Sequence, residues 1–202
     1  MPIPIPIKYR ASATPIETTY NGFRFRSRAE ARWAVFFDAA GIRYQYEPEG
    51  VKLSDGTLYL PDFFLPDCKT WFEVKGVLND IDKHKVEQLI VDSKMPVVIG
   101  YADLTFTACD NWSYEDDPHF TMTDKSTSLL CRCEKCKKYW FMGTAGIYTC
   151  LNCGAYDGDR HFYVPLYGDG YASSYDKNDP IIKAHGKARK ARFEYGETST
   201  IT

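Results

Sequence analysis

The stretch YLPDFFLPDCKTWFEVKG, residues 59–76, places ionisable side chains inside what otherwise reads as buried β-structure. Asp62 follows a proline in one apolar run, and Glu73 and Lys75 lie in the next. Ionised groups are costly to remove from water unless they are paired or bind a metal ion. Side chains two residues apart on a strand share a face of the sheet, and strand pairing can bring Asp62 beside Glu73. The stretch therefore predicts a polar cluster on one face of a sheet.

This cluster has the composition of a site for a hard divalent cation. Adjacent carboxylate oxygens are ligands that Mg²⁺ prefers, and protein-bound Mg²⁺ is usually shared with a substrate phosphate. A lysine on the same face can orient or deprotonate a water molecule and can stabilise negative charge that grows on a phosphate. Asp62, Glu73 and Lys75 together predict hydrolysis of phosphodiester bonds, with Mg²⁺ or Mn²⁺ as the catalytic cofactor.

The flanking elements follow from capping signals and periodicity. Ser27 is placed to begin a helix, with Glu30 three residues later as in a capping box and Gly41 as its end. After this helix the sequence predicts strands within 42–46, 51–65 and 71–75, a helix over 79–94 and a strand at 97–101. The predicted order, helix, three strands, helix, strand, describes a compact α/β unit.

Composition limits the other options. Hydrophobic residues make up 44% of the 202 residues, which is enough for a packed core, and the net charge of −2 does not by itself predict a nucleic-acid partner. The apolar N-terminus MPIPIPIKYR is too short and too rich in proline for a signal peptide. No stretch approaches the roughly 18 apolar residues that cross a bilayer. We therefore expect a cytoplasmic protein with no membrane partner.

Changes in composition divide the chain into five expected parts. These are an N-terminal arm at 1–22, the α/β core at 23–108, a polar linker at 109–128, a cysteine-rich module at 129–167, and a basic helix and tail at 168–202.

The pair Pro61-Asp62, ten intervening residues and the triplet Glu73-Val74-Lys75 resemble the motif of the PD-(D/E)xK nuclease superfamily, which includes restriction endonucleases and Holliday-junction resolvases. The predicted element order matches that family's restriction-endonuclease-like core. The lead-in RSRAEARWAVFFDAAGIRYQYEP is similar to small phage-type and transposon-end-cleaving members. The resemblance covers residues 20–108, about half of the chain.

The resemblance implies a role for each motif residue. Asp62 and Glu73 would bind the catalytic metal ion, the backbone carbonyl of Val74 would complete its shell, and Lys75 would serve the attacking water. The family implies a DNA endonuclease, and the phage-type likeness points to a bacterial or phage-infected cell.

Glu30 is the position that fits the acid contributed by the family's preceding helix. Its structural alternative is the capping box with Ser27. The chain departs from the members that carry a glutamine–tyrosine motif on the second helix, because Gln88 has no tyrosine four residues later.

Two CxxC pairs form a second candidate metal site. Cys133 and Cys136 are followed after thirteen residues by Cys150 and Cys153, a spacing typical of tetrahedral zinc in a β-ribbon. Four thiolates leave no open position for water, so the zinc is expected to be structural. Cys131 competes with Cys133 for one ligand position, and the CxxC spacing favours Cys133.

Basic side chains occur in several groups that predict contacts with nucleic-acid phosphates, although a charge run is also commonly a solvated face. The candidates are Arg24, Arg26 and Arg28 around the first helix, Lys83 and Lys85 in the second, Lys137 and Lys138 in the cysteine module, and Lys187, Arg189 and Lys190 in the tail.

The sequence therefore predicts a metal-dependent DNA endonuclease with a structural zinc ribbon. Two alternatives stay open. One is a nuclease-fold protein without activity that binds DNA or acts in assembly, and the other is a nucleic-acid adaptor whose main element is the zinc ribbon. A homodimer is a further expectation for an enzyme that cuts both strands.

Overall fold

The computed structural model of the protein describes residues 15–114, 117–143, 149–150, 152–156, 162–172 and 178–193, without the side chains of 110–121. Across these residues the fold is mixed α/β, with three α-helices and several β-sheets. This confirms the predicted α/β class. Most of the expected N-terminal arm (1–14), the last part of the tail (194–202) and short pieces of the cysteine module lie outside the described residues.

The elements follow one another along the chain with short connections. In order they are β1 (Thr18–Tyr20), β2 (Phe23–Phe25), α1 (Arg28–Ala40), β3 (Gln45–Tyr46), β4 (Val51–Lys52), β5 (Leu58–Tyr59), β6 (Phe63–Leu65), β7 (Thr70–Lys75), α2 (Asp80–Ser93), β8 (Val97–Tyr101), β9 (Phe106–Tyr114), β10 (Asp117–Met122), a 3₁₀ turn (Lys125–Thr127), β11 (Ser128–Cys133), β12 (Tyr139–Gly143), β13 (Phe162–Tyr167) and α3 (Pro180–Lys190).

Helix α1 has the two ends that the sequence predicts. The Ser27 side chain accepts a hydrogen bond from the backbone N–H of Glu30 at 3.2 Å, and Gly41 ends the helix with φ 68°, a left-handed conformation that glycine adopts without steric cost. Between these caps, Trp33 and Phe37 are fully buried against the sheet. The ring of Trp33 lies 4.6 Å from the ring of Phe72 on β7, so the helix packs directly over the strand that carries Glu73.

The central sheet has six strands in the order β10-β9-β8-β7-β6-β3. Strand β7 pairs antiparallel with β6 and parallel with β8, and α2 makes the crossover between the two parallel strands. The succession of helix, strands, helix and strand along the chain is the one that the sequence predicts, and the parallel pairing of β7 with β8 is an addition from the structure.

The expected linker at 109–128 is instead part of the sheet. Strand β9 pairs antiparallel with β8, with Val97 opposite Cys109, and β10 pairs with β9 at the edge of the sheet. An acidic, polar composition indicates a loop when it is read alone, but an antiparallel edge hairpin with a solvent-facing side tolerates the same composition.

The cysteine module does not pack as a separate body. Its sheet, β12-β11-β13, places Phe141 with its ring 5.1 Å from Phe106 and 5.8 Å from Phe72, inside the same hydrophobic core as α1. The backbone N–H of Phe106 also donates to the carbonyl of Gly168 at 2.7 Å, just beyond β13. The module and the α/β unit therefore share one core.

Helix α3 packs against α1 and belongs to the same hydrophobic core. It starts at Pro180, within the stretch where a basic helix and tail are predicted, and buries Ile181, Ala184 and Ala188 in the same hydrophobic cluster as the apolar face of α1. The ring of His185 meets Phe36 edge-on at 6.4 Å. The opposite face of the helix carries the basic residues.

Candidate metal centres

The β6–β7 pair brings the two predicted carboxylates together. The backbone N–H of Asp62 donates to Oε2 of Glu73 at 3.1 Å, and the backbone N–H of Val74 donates to Oδ2 of Asp62 at 2.7 Å. Both acids are almost completely buried, with 6% of Asp62 and 3% of Glu73 exposed. Burial, and next the charge of Glu73, raises the pKa of Asp62 to about 8.

Lys75 joins the same cluster. Its Nζ lies 2.8 Å from Oε1 of Glu73 and 3.2 Å from Oδ1 of Asp82, the third residue of α2. Burial alone would lower the pKa of Lys75, but the charges of the two acids outweigh it and the pKa is raised. The lysine is therefore a fixed ammonium that can orient a water or stabilise an anion, and it is not a base at neutral pH.

Arg26 is the cation that covers Asp62. A terminal guanidinium nitrogen (Nη2) lies 3.1 Å from Oδ1 of Asp62, and its Nε forms an ion pair with Glu47. The side chain of Arg26 is 53% exposed, whereas that of Asp62 is only 8% exposed. Arg26 is therefore the more exposed partner of the buried acid.

Glu30 lies near this pair but is held by local bonds. Its carboxylate accepts hydrogen bonds from Ser27 Oγ at 2.6 Å, from Tyr46 Oη at 2.7 Å and from the backbone N–H of Arg26 at 3.1 Å. The sequence allows Glu30 to be either an acid of the active site or part of a cap with Ser27. The bonds between Glu30 and Ser27 agree with the capping role. The negative charge of Glu30 still contributes to the raised pKa of Asp62.

Three further residues support the cluster and were not predicted. Tyr59 on β5 is buried, and the charge of Glu73 adds to burial in raising its pKa. Tyr46 donates a hydrogen bond to Glu30, and Asp82 forms an ion pair with Lys75. The sequence could have identified Asp82 as a helix-capping residue, because it completes a capping box with Asn79 at the start of α2. The tyrosines alternate with buried apolar residues and look like ordinary core positions.

The balance of charge fits a divalent cation. Arg26 and Lys75 are the two cations of the described cluster, and they face an excess of carboxylates: Glu30, Glu47, Asp62, Glu73 and Asp82. A cation that binds here would relieve the repulsion that raises the pKa of Asp62. Two protein carboxylates are a usual complement for Mg²⁺, which takes its other ligands from water and substrate phosphate.

The four cysteines form the second centre. Cys133 Sγ lies 3.7 Å from Cys153 Sγ, Cys136 Sγ lies 3.6 Å from Cys150 Sγ, and all four sulfurs are within 4.8 Å of one another. In the part of the chain that the structure describes, this is the one group of three or more ligand atoms so closely gathered. The cluster can hold a metal ion such as zinc, as predicted.

The same backbone turn builds both halves of this site. The N–H of Lys137 donates to the carbonyl of Cys133 at 2.7 Å, and the N–H of Gly154 donates to the carbonyl of Cys150 at 2.9 Å. Lys137 and Gly154 both have left-handed backbones, with φ 62° and φ 68°. Each turn points the two sulfurs of one CxxC pair toward the other pair.

Cys131 is outside the cluster. It is buried on β11 opposite Trp140, whereas Cys133, at the end of the same strand, faces the other three sulfurs. Both cysteines are buried in the same hydrophobic cluster, but only the sulfur of Cys133 lies within 4.8 Å of the other three ligand atoms. The structure thus gathers the four cysteines that the CxxC spacing favours.

The predicted nucleic-acid contacts are dispersed, and many are engaged with acids. Four of them form ion pairs: Arg24 with Glu17, Lys83 with Asp80 at 3.1 Å, Lys137 with Glu134 at 2.7 Å and Lys138 with Asp67 at 2.9 Å. The Nζ of Lys85 lies 5.9 Å from the ring centre of Tyr59. Arg28 is half-buried at the start of α1.

The basic face of α3 differs from these groups. Lys187, Arg189 and Lys190 are exposed, and none of them forms an ion pair with an acid among the described residues. This face is the least neutralised of the basic groups predicted from the sequence.

Comparison with protein-family models gives no match for this chain, and comparison with curated protein sequences gives none either. No helix in the described ranges is both long and apolar enough to cross a membrane. The carboxylate cluster and the four-cysteine site are therefore the features of this chain that bear on its function.

Proposed function

We propose that the protein is a metal-dependent nuclease that hydrolyses phosphodiester bonds in DNA, acting as an endonuclease, with zinc in the four-cysteine site as a structural ion. The observation that carries the proposal is the buried Asp62–Glu73 pair with Lys75 bonded to Glu73. The order of α1, the antiparallel strands β3, β6 and β7, α2 and the parallel strand β8 supports it, because the PD-(D/E)xK resemblance implies that order.

In this proposal Asp62 and Glu73 hold Mg²⁺ or Mn²⁺, with the Val74 carbonyl as a further ligand. When it is bound, the ion supplies a Lewis acid for the phosphate and lowers the pKa of a water. Lys75 remains protonated and orients the attacking water while it stabilises the charge on the phosphate. Arg26 leaves Asp62 and contacts a phosphate oxygen of the DNA.

A plasmid-nicking assay tests the proposal. Purified protein with Mg²⁺ or Mn²⁺ is expected to relax supercoiled plasmid, and Asp62→Asn or Glu73→Gln is expected to lower the rate by about 10³-fold or more because each removes a charged metal ligand. Asp80→Asn is the matched control, since the Asp80 side chain at the start of α2 is 98% exposed. Equal rates for Asp62→Asn and Asp80→Asn would refute the nuclease assignment.

One observation favours a second candidate, a nuclease-fold protein that binds DNA without cutting it. Arg26 and Lys75 already contact both carboxylates, an arrangement that a vestigial site would also show. This candidate predicts DNA binding that does not depend on divalent cations and no cleavage of linear, nicked, forked or four-way DNA.

The remaining alternative, an adaptor in which the ribbon acts alone, is disfavoured by packing. Phe141 and Leu130 of the ribbon are buried in the core that α1 and β7 share, so residues 125–202 expressed alone would expose them to water. A homodimer remains part of the proposal, because one chain presents one carboxylate centre and duplex cleavage needs two.

A further inference from the structure

The turn that joins β6 to β7 is held by both halves of the cysteine module. Lys138, two residues after Cys136, donates from Nζ to Oδ1 of Asp67 at 2.9 Å. Asn152, one residue before Cys153, donates from Nδ2 to the backbone carbonyl of Asp67 at 2.7 Å. Each CxxC turn therefore contributes one bond to the same residue.

A third element completes the clamp on Asp67. Arg43, which follows α1, donates from Nε and Nη2 to the two oxygens of the Asp67 carboxylate, both at 2.7 Å. Two parallel guanidinium–carboxylate bonds fix direction as well as distance. These bonds, those from Arg43 first, hold the pKa of Asp67 far below its usual range, so the carboxylate stays charged.

The clamped turn connects the two strands that carry the carboxylate pair. Asp67 lies in the turn at 66–69, and Asp62 and Glu73 are each three residues, roughly 10 Å, from the strand ends at Leu65 and Thr70. The strands pair from Leu65 opposite Thr70 to Phe63 opposite Phe72. Holding the turn restricts how these strands shift and twist, and the bonds between Asp62, Glu73 and Val74 depend on that pairing.

We infer that Asp67 and Asn152 are positioning residues through which the metal-loaded cysteine module fixes the geometry of the Asp62–Glu73 pair. The cysteine site then does more than stabilise its own ribbon, because closing the four sulfurs around an ion sets Lys138 and Asn152 against the turn. The expectation that the clamp strengthens divalent-cation binding rests on the proposed function. The expectation that the clamp holds β6 and β7 in place does not depend on it.

The test compares Asn152→Ala and Asp67→Asn with Glu134→Gln in the full chain. Glu134 pairs with Lys137 at 2.7 Å on the same module but does not reach the turn. We expect each variant to retain one zinc per chain. In Asn152→Ala and Asp67→Asn, the amides of Asp62 and Val74 should exchange hydrogen faster by about 3- to 10-fold, and Mn²⁺ binding measured by calorimetry should weaken by a similar factor. Asn152→Ala removes one hydrogen bond of the clamp, and Asp67→Asn removes the negative charge that Arg43 and Lys138 contact.

Hydrogen exchange and Mn²⁺ binding distinguish a failure of the positioning role from a failure of the proposed function. Exchange rates at Asp62 and Val74 that match the wild type in both variants would overturn the positioning role, whatever the Mn²⁺ result. Mn²⁺ binding that Asp62→Ala leaves unchanged would refute the carboxylate centre, and hence the proposed function, while faster exchange in Asn152→Ala alone would still support the clamp. Faster exchange in Glu134→Gln to the same degree would also count against the clamp.

Discussion

The backbone N–H of Asp62 donates to Oε2 of Glu73 at 3.1 Å, so the two acids of the candidate site are joined across the β6–β7 pair. This bond fixes their distance but does not neutralise either charge. The result is two adjacent acids in a buried position, where burial and the charge of Glu73 favour the protonated form of Asp62, and Arg26 and Lys75 are the neighbouring cations. Two predictions follow from this unbalanced charge.

The first concerns the pH dependence of stability. The pKa of Asp62 is about 8 in the folded protein and near 4 when unfolded, so between these values the folded state binds more protons. The free energy of unfolding should therefore fall as pH rises from 5 to 8, by about 3–4 kcal/mol from this group. Urea denaturation without added divalent cation measures the slope.

Asp62→Asn provides the control for that slope. It removes the titrating group and most of the repulsion with Glu73, so its free energy of unfolding should change less between pH 5 and 8. Added Mg²⁺ should raise the melting temperature of the wild type at pH 8 and leave that of Asp62→Asn unchanged. A wild type that is more stable at pH 8 than at pH 5, with the same slope in Asp62→Asn, would contradict the charge argument.

The second prediction concerns the guanidinium that covers the site. Arg26→Ala removes the cation that competes for Asp62, so Mn²⁺ should bind more tightly by about 3- to 10-fold in calorimetry, while DNA should bind more weakly. Arg24→Ala is the matched control for Mn²⁺ binding, because Arg24 pairs with the exposed Glu17 and not with the site. Weaker Mn²⁺ binding in Arg26→Ala would mean that Arg26 supports the metal centre and does not compete with it.

Local signals account for what could be predicted here. The caps at Ser27 and Gly41 defined α1, and the spacing of the CxxC pairs identified the four cysteines that meet. The alternation in β7 placed Glu73 and Lys75 on one face, where their side chains are 2.8 Å apart. Each of these signals spans only a few residues.

Contacts between distant segments could not be predicted. Arg26 meets Asp62 across 36 residues, and Asn152 meets Asp67 across 85, with no pattern in the sequence that pairs them. Strand β9 was missed because the polar and acidic stretch that begins within it indicates a loop, while its pairing is decided by the neighbouring strand β8. Tertiary context determined these features.

A third prediction distinguishes the cysteine ligands. Cys133→Ala should lose bound zinc and lower the melting temperature by about 10 °C, because the ion contributes about 3 kcal/mol or more to folding. Cys131→Ala removes a buried sulfur from the same strand but should keep one zinc per chain. Metal analysis of the two purified variants decides between them, and loss of zinc from Cys131→Ala would identify Cys131 as a ligand.

A fourth prediction tests the shared core. A Cβ at Gly168 would collide with the backbone carbonyl of Phe106 and would lie 2.6 Å from that of Lys125, so Gly168→Ala should destabilise the whole protein by about 2 kcal/mol or more. Gly186→Ala in α3 meets nothing within 4 Å and should stabilise the protein by about 0.5–1 kcal/mol. Two separate unfolding transitions, with only one shifted by Gly168→Ala, would show that the ribbon folds independently.

The last prediction concerns the basic face of α3. Lys187 and Lys190 lie on one exposed side of the helix, opposite the apolar residues that pack on α1, so they can approach a DNA backbone without disturbing the core. Each phosphate contact that is removed should reduce the slope of log K against log salt by about 0.9, and Lys187→Ala with Lys190→Ala should reduce it by about 2. Lys52→Ala, an exposed lysine on β4, should leave the slope unchanged. Equal slopes for the wild type and the double variant would exclude α3 from the DNA-binding surface, and the contacts would then have to come from the other basic groups, around α1, in α2 and in the cysteine module.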